Sequence, residues 1–365
     1  MPNTHERTRV YLDLTHVGRH VTGIERIAIE LFEKAQFEGA EIVPVRAKGL
    51  VSLVLRQQLL FPLLALLHPK AIFVFPGFPP SPLMRLWRNR VVHYVHDLFP
   101  ITRRKDLGLK ARLYMAWPFK RAVTRLKHFL VNSEKTRAEL KPFVANDASI
   151  GLYRPAVGNV FGLDARDRAG REASPNTLRL VAMGTLEPRK NFAYAAAIRD
   201  ALAERRNGNV KLDIIGRPGW GGVAEQLSDR VGLHLNGYLP IAQARALIEA
   251  ADIYLCTSHD EGLGLPLLEV QYAGLPVVAP DLPVFREVLG DSGIFIPLDD
   301  ARSAAEIINR ALHSGGWRHA AVDMAHNNLQ RWNGAAAGDE ARVRDLFADG
   351  HVSSDKHSAI SVNGI

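Results

Sequence analysis

The chain of 365 residues is expected to be an α/β protein built from two doubly wound domains. Three observations predict this. Short apolar, β-branched runs alternate with stretches of helical spacing along the whole chain, the pattern of parallel sheets covered by helices. The length exceeds what one hydrophobic core usually organises. Between the two sets of alternating elements, Tyr153 to Asn176 is broken by Arg154-Pro155, Gly158, Gly162, Gly170 and Ser174-Pro-Asn176, which reads as a linker. Ligands of open α/β sheets bind outside the carboxyl ends of the strands, so a cleft between the strand ends of the two domains is expected.

Hydrophobic residues make up 47% and charged residues 23%, as in an ordinary soluble globular protein. The lone cysteine, Cys256, cannot form an internal disulfide, so no oxidising compartment is implied. The first residues, Met1-Pro-Asn-Thr-His-Glu-Arg7, lack the apolar core of a signal peptide. A formal charge of +8 is compatible with nucleic acid, an anionic membrane surface or anionic substrates. No zinc-finger spacing, RNA-recognition signature or dense basic tract is present, so no nucleic-acid partner is expected. The reading is a cytoplasmic protein in peripheral contact with anionic lipid, with a plain Arg-rich soluble surface as the alternative.

In the first half, Arg9–Leu14 reads as a strand, followed by a loop with Gly18 and Gly23 and a helix over 24–32. Glu41–Val45 is a second strand. Leu50 to Leu67 is unusually apolar, but Arg56, Gln57, Gln58 and Pro62 interrupt it, and a membrane span needs about 20 uninterrupted apolar residues. It reads as an amphipathic helix that either buries one face or lies on a membrane. Arg85, Arg88 and Arg90 follow it and would suit an anionic surface. Ala71–Phe75 and Val91–Val95 are continuous apolar runs, hence central parallel strands. The second ends in His96-Asp97. Arg103, Arg104, Lys105 and Lys110 precede a helix running to about Leu126; they are either a solvated face or a contact for an anionic acceptor or headgroups. His128–Asn132 is a strand, and Ser133 is placed to cap a helix over 134–140.

In the second half, Leu178–Met183 is the first strand, followed by Gly184-Thr-Leu-Glu-Pro-Arg-Lys-Asn191 and an alanine-rich helix from Phe192. Arg189 and Lys190 stand where this loop opens the helix. A planar fork and a point charge together suit a diphosphate. Val210–Ile215 is a strand ending in Gly216-Arg-Pro-Gly-Trp-Gly-Gly222, either a nucleotide wall or a tight turn. Helices are expected over 301–313, 317–329 and 333–347, and the tail 349–365 is expected to be disordered.

The organising stretch is Ser258-His-Asp-Glu-Gly-Leu-Gly-Leu-Pro-Leu-Leu-Glu269, running on to Ala273-Gly-Leu-Pro-Val-Val278. It follows the apolar strand Ile253–Cys256. Gly262 and Gly264 make a loop that a ligand can approach closely. Pro266 suits a helix start and Gly274 a helix end. Free N–H groups at a helix start favour an anion. Glu261 in the loop and Glu269 inside the helix are carboxylates that accept from hydroxyls. The pattern predicts a phosphate-plus-sugar ligand.

Glu261 and Glu269 in this Gly-Leu-Gly-Leu-Pro setting, with Ala-Gly-Leu-Pro-Val-Val after them, closely resemble the signature of the retaining glycosyltransferases of family four, also called group one. The resemblance implies the GT-B fold: two facing Rossmann-like domains, 1–155 on the acceptor side and 177–330 on the nucleotide-sugar side, with a linker over 156–176 and a crossover helix over 331–348. It implies that Arg189 and Lys190 neutralise the leaving diphosphate, Glu269 holds the ribose, and Glu261 and His96 contact the donor sugar. Gly184, Thr185, Gly262, Gly264 and Leu265 would line the nucleotide. Tyr238 and Leu239 would border the base, core packing being their alternative, and Gly23 would face the cleft. Some relatives carry an Arg where Thr185 stands, so that contact is absent or supplied elsewhere. No Asp-x-Asp motif is present, so no metal is expected. The loop Gly184–Asn191 resembles that of bacterial mannosyltransferases of surface polysaccharide and lipopolysaccharide assembly. This implies GDP-mannose as donor and a glycan or polyprenyl-linked acceptor, with UDP- and dTDP-sugars still open. An inactive glycan- or nucleotide-binding regulator and a nucleotide-sugar epimerase are the alternative functions.

Overall fold

The computed structural model describes residues 7–18, 23–35, 37, 39–102, 116–169, 177–313 and 316–348. The chain divides into two compact units: one runs to Pro155 and resumes at Ala335, the other is Ala156–Gly334.

The sheet of the first unit is parallel throughout, in the order β2-β1-β3-β4-β5-β6. Its strands are β1 (Thr8–Leu14), β2 (Ala40–Arg46), β3 (Ile72–Phe75), β4 (Val91–Val95), β5 (His128–Val131) and β6 (Ser149–Leu152). Every residue of β3, β4 and β5 is buried, as continuous apolar runs require of central strands. The edge strand β6 was not expected. It has four half-buried residues, one of them Gly151, and so shows neither an apolar run nor alternation.

The apolar stretch after β2 forms one helix, Gly49–Leu67, with a π-helical turn at Arg56–Leu60. The widened turn stands directly before Pro62, whose ring and missing N–H do not fit a regular α-helical interior. Leu53, Gln57, Phe61 and Ala65 are buried, and Phe61 and Ala65 join Phe73, Phe75 and Phe129 in the core. The opposite side is apolar and exposed, so packing one face and exposing a hydrophobic one are both realised. Of the arginines that follow, Arg90 does not face solvent as a free cation. It donates to the carbonyls of Ala65 (2.9 Å), His68 (2.8 Å) and Ala71 (3.1 Å), closing the end of this helix. Arg88 pairs with Asp147 at 3.3 Å.

The second unit has strands β7 (Leu178–Met183), β8 (Val210–Ile215), β9 (Leu233–Leu235), β10 (Ile253–Leu255), β11 (Val277–Pro280) and β12 (Gly293–Ile296). All are parallel, in the order β12-β11-β10-β7-β8-β9. The order reverses between β7 and β10, which makes their carboxyl ends the topological switch point. Helix Phe192–Arg205 packs its alanine face against helix Ala301–His313 and the sheet.

Within 156–169, Arg168 is only 4% exposed and donates to the carbonyls of Ala273 and Ala251, both at 2.7 Å, and of Ile248 at 3.2 Å. Its guanidinium thus closes helix Ile241–Ala250 and the turn that ends at Ala273. The last helix corrects the expected break near 330: Trp317–Ala348 is one helix of 32 residues. A helical glycine costs about 0.5–1 kcal/mol. Burial of Leu329, Trp332, Ala336 and Val343 along the same helix outweighs that cost at Gly334 and Gly338. The tail 349–365 and the cluster Arg103, Arg104, Lys105 and Lys110 lie outside the described residues.

Candidate active site

The loops after β7 and β10 meet at the switch point of the second unit. Glu187 ends the first loop's extended part, Pro188–Lys190 form a single 3-10 turn, and Asn191 in the left-handed region (φ 51°) redirects the chain into helix Phe192–Arg205. This turn aims Arg189 and Lys190 at the β10 loop. Arg189 Nη1 donates to Glu261 Oε2 at 2.7 Å and to the Asp260 carbonyl at 2.9 Å, and Nε donates to Glu187 Oε1 at 3.0 Å. Lys190 Nζ donates to Glu261 Oε1. Ser258 Oγ donates to the same oxygen at 2.8 Å. Backbone contacts fix the two loops further: the His259 N–H donates to the Arg189 carbonyl at 2.9 Å, and Thr257 Oγ1 to the Lys190 carbonyl at 3.0 Å.

Glu261 is 8% exposed. Burial alone would raise its pKa, but the charges of Lys190 and Arg189 and the bonds from Lys190 and Ser258 outweigh it and bring it down to about 2. It is an anion at any working pH and cannot serve as a proton acceptor near neutrality. A carboxylate offers four lone-pair positions. Three side-chain donors reach Glu261 among the described residues, two of them on Oε1 and one on Oε2. Arg189 and Lys190 stand against Glu187 and Glu261, so the cluster is balanced in charge. Cys256 lies just below, its pKa pushed by burial to about 11, and is therefore a neutral thiol.

Glycines let the neighbouring loops interlock here. Gly184 has φ 148°, and the Lys190 side chain lies over it: a Cβ there would be 3.0 Å from Lys190 Cε. Gly219, in the loop after β8, fits against Thr185 and the Leu186 carbonyl. Thr185 itself is exposed. Tyr238 is 62% exposed rather than packed in the core, and the Arg217 guanidinium stacks on its ring at 4.4 Å. Leu239 is half-buried.

In the β10 loop, Gly262 is buried and Gly264 takes φ 89° before the short helix Leu265–Glu269. Pro266 is the second residue of that helix, and Gly274 ends the following turn with φ 62°. Leu265 and Glu269 are buried, and Glu261 and Glu269 both lie close enough to Tyr254 to raise its pKa, after burial itself.

His96 belongs to the first unit. Its Nε2 lies 2.6 Å from the Pro76 carbonyl, and Asn132 Nδ2 donates to the His96 carbonyl at 2.9 Å. Burial, then the nearby His16 and His93, lowers its pKa to about 4. A neutral ring against a carbonyl carries its proton on Nε2, which leaves Nδ1 as an acceptor. Gly23 begins the helix Gly23–Ala28, and a Cβ there would meet open space.

Sequence reasoning missed Glu187 and Ser258. Both lie inside the quoted motifs, three positions before Lys190 and Glu261 respectively, but no spacing rule marks them as partners. Among the described residues, no group of three or more His, Cys, Asp or Glu is gathered as for a metal.

Two six-stranded parallel sheets with helices give the chain the GT-B fold. Residues 165–329 match the family described as glycosyl transferases group 1. It is 34% identical over 152 residues to a phosphatidyl-myo-inositol mannosyltransferase of Mycolicibacterium smegmatis, covering 40% of this chain and 39% of that protein. It is 31% identical over 145 residues to the Escherichia coli O-antigen chain mannosyltransferase B, covering 38% of each. The chain thus spans about two-fifths of the length of these curated relatives. Among solved structures, a sucrose-phosphate synthase from Thermosynechococcus elongatus superposes with TM-score 0.70 at 16% identity, over 94% of this chain and all of that one. WaaG, a glycosyltransferase involved in lipopolysaccharide biosynthesis, gives 0.62 at 16% identity, over 93% of this chain and 99% of that one.

Proposed function

We propose that the site at β7 and β10 binds a nucleoside-diphosphate sugar and transfers its hexose to a hydroxyl acceptor with retained anomeric configuration. The observation that carries this reading is the convergence of Arg189 and Lys190 on Glu261 where the sheet order reverses. As the bond from the anomeric carbon to the diphosphate oxygen breaks, negative charge grows on the leaving group. Lys190 as a point charge and Arg189 as a fork stabilise it, in place of a metal ion. Glu261 holds both cations in position and accepts from a sugar hydroxyl. Glu269 accepts from the ribose hydroxyls. Gly184, Thr185, Gly262, Gly264 and Leu265 bound the nucleotide, and Tyr238 and Leu239 border the base. The acceptor oxygen bonds to the anomeric carbon on the face the diphosphate leaves, and its proton passes to the departing phosphate. In the first unit, His96 presents Nδ1 to a sugar hydroxyl.

The donor we favour is GDP-mannose, supported by the mannosyltransferase relatives and by the Gly184–Asn191 loop. The acceptor would be a glycan or polyprenyl-linked glycan of surface polysaccharide assembly, met on the cytoplasmic side. Thermal-shift titration with GDP, UDP, dTDP and ADP tests the reading, because a ligand of the folded state raises Tm. A shift with GDP that disappears in Lys190→Ala, followed by mannose transfer insensitive to EDTA, is the expected result. A shift with UDP or dTDP alone would replace the donor. No shift with any nucleotide would overturn the proposal.

A further inference from the structure

The first unit carries a surface that its own core does not account for. Two rows of side chains run along helix Gly49–Leu67 at i, i+4 spacing, on opposite sides. Leu53, Gln57, Phe61 and Ala65 form the buried row. Val51, Leu55, Leu59, Leu63 and Leu67 form the other, each between 50% and 73% exposed. In a regular α-helix of 3.6 residues per turn such a row drifts round the axis. The wider π turn at Arg56–Leu60 slows that drift and keeps the row on one side. Five leucines and valines aligned in water are not a neutral surface; they mark an interaction face.

By length and composition this helix could cross a membrane. The buried row forbids it. Gln57 Nε2 donates to Asp13 Oδ2 at 2.8 Å and to Thr15 Oγ1 at 3.1 Å, and Asp13 is wholly buried. Pulling the helix out of the unit would strand a buried carboxylate and strip the core of Phe61. The helix can therefore meet lipid only lying flat.

Charge selects the occupant. From Ile42 to His96 there is not one Asp or Glu, against seven Lys and Arg, of which Arg46 pairs with Glu33, Arg88 with Asp147 and Arg90 with backbone carbonyls. Lys48 and Arg56 flank the exposed row. Segment Pro82–Arg90 packs against both this helix and helix Trp117–Arg125, and exposes Leu83 and Leu86. Arg85 on that segment lines a recess with Arg121 and Arg125, beside the half-exposed Trp117. An apolar ridge flanked by Lys48 and Arg56 fits acyl chains below anionic headgroups.

We propose that helix Gly49–Leu67 is an in-plane membrane anchor. Its exposed row enters the headgroup–acyl boundary of an anionic bilayer, while Lys48, Arg56 and the Arg85, Arg121 and Arg125 recess engage headgroup phosphates. The inference does not depend on the sugar-transfer reading, and its test needs no sugar donor. Sedimentation of the full chain with phosphatidylglycerol-containing vesicles and with pure phosphatidylcholine vesicles is the experiment. Binding to the anionic vesicles is expected, weakening as salt screens the headgroups. The triple variant Leu55→Ser, Leu59→Ser, Leu63→Ser should lower that affinity by about tenfold or more, since its polar side chains cannot enter the acyl boundary. Its circular dichroism spectrum should match the parent's, because these side chains are at least half exposed. In Leu59→Trp, fluorescence should be quenched by lipids brominated at shallow acyl positions. Failure of the parent chain to bind anionic vesicles, or unchanged binding by the triple variant, overturns the proposal. So does a parent chain that is dimeric in solution and becomes monomeric in the triple variant, which would assign the row to a second copy.

Discussion

Gly216 rests against the carbonyl of Gly184 so closely that a Cβ on Gly216 would stand 1.8 Å from that oxygen. The loops after β7 and β8 are therefore in backbone contact, and the loop that carries Arg189 and Lys190 is braced from the side. Gly216→Ala cannot be absorbed by turning a side chain, because the obstruction is main chain. Overpacking of this kind costs about 1–3 kcal/mol. The Tm of Gly216→Ala should fall, and its nucleotide affinity should fall with it. A variant with parental Tm and affinity would show that the two loops are not braced.

Lys190 lies over Gly184 and reaches Glu261 with its charged tip. Removing a single preorganised donor to a developing oxyanion typically costs about 100- to 1,000-fold in rate. Lys190→Ala is expected to lose that much in kcat/KM, to lower Tm because buried Glu261 loses a partner, and to keep a folded circular dichroism spectrum. Lys190→Arg, with its wider fork, should restore only part of it. Steady-state kinetics with the donor identified by nucleotide titration would check both.

Glu261 makes the second unit sensitive to acid. Its pKa falls from 4.5 to about 2 on folding, so its contribution is complete above pH 4.5 and is lost as pH falls toward 2. Breaking a buried pair by removing one partner costs on the order of 3 kcal/mol. Glu261→Gln should lower stability by about that amount near neutrality and flatten the acid limb of a urea-denaturation series. Equal pH dependence in parent and variant would contradict the ion-pair geometry.

The first unit should yield to acid at higher pH. His16, His93, His96 and His128 all have pKa values lowered by burial, from 6.5 to about 4. For a base whose pKa drops on folding, protonation favours the unfolded chain. Stability is full above pH 6.5 and declines as pH falls toward 4. Hydrogen exchange at pH 5 should show amides of β3 and β4 losing protection before those of β7 and β10 do. Simultaneous loss would contradict the assignment.

Much of the fold is legible in the sequence, for a physical reason. Strands buried on both faces, such as β3 and β4, read as unbroken apolar runs, and the turns at Gly264 and Gly274 need left-handed backbone that glycine supplies. The edge strand β6 lacked such a run, and the long last helix hid its continuity behind Gly334 and Gly338. Residue types marked Arg189, Lys190 and Glu261 as ligands, but nothing in their spacing told that all three would close on one another. The neutrality of His96 was equally invisible, since it comes from burial beside the Pro76 carbonyl, 20 positions away.

Tyr238 offers a test of the base end of the proposed site. It is 62% exposed and carries Arg217 on its face, so its removal costs little core packing. Tyr238→Ala should leave Tm nearly unchanged and raise KM for the donor more than it lowers kcat. An unaltered KM would remove this ring from the nucleotide subsite.

Arg168 precedes the first strand of its sheet, yet it closes off backbone more than 80 residues downstream at Ala251 and Ala273. A fragment cut to begin at Leu178, where the sheet starts, would lack this clasp and leave those carbonyls to solvent. The autonomous piece of this half of the molecule is therefore longer than its strands suggest, and expression boundaries or domain grafts drawn at β7 would discard the residue that fastens its far end.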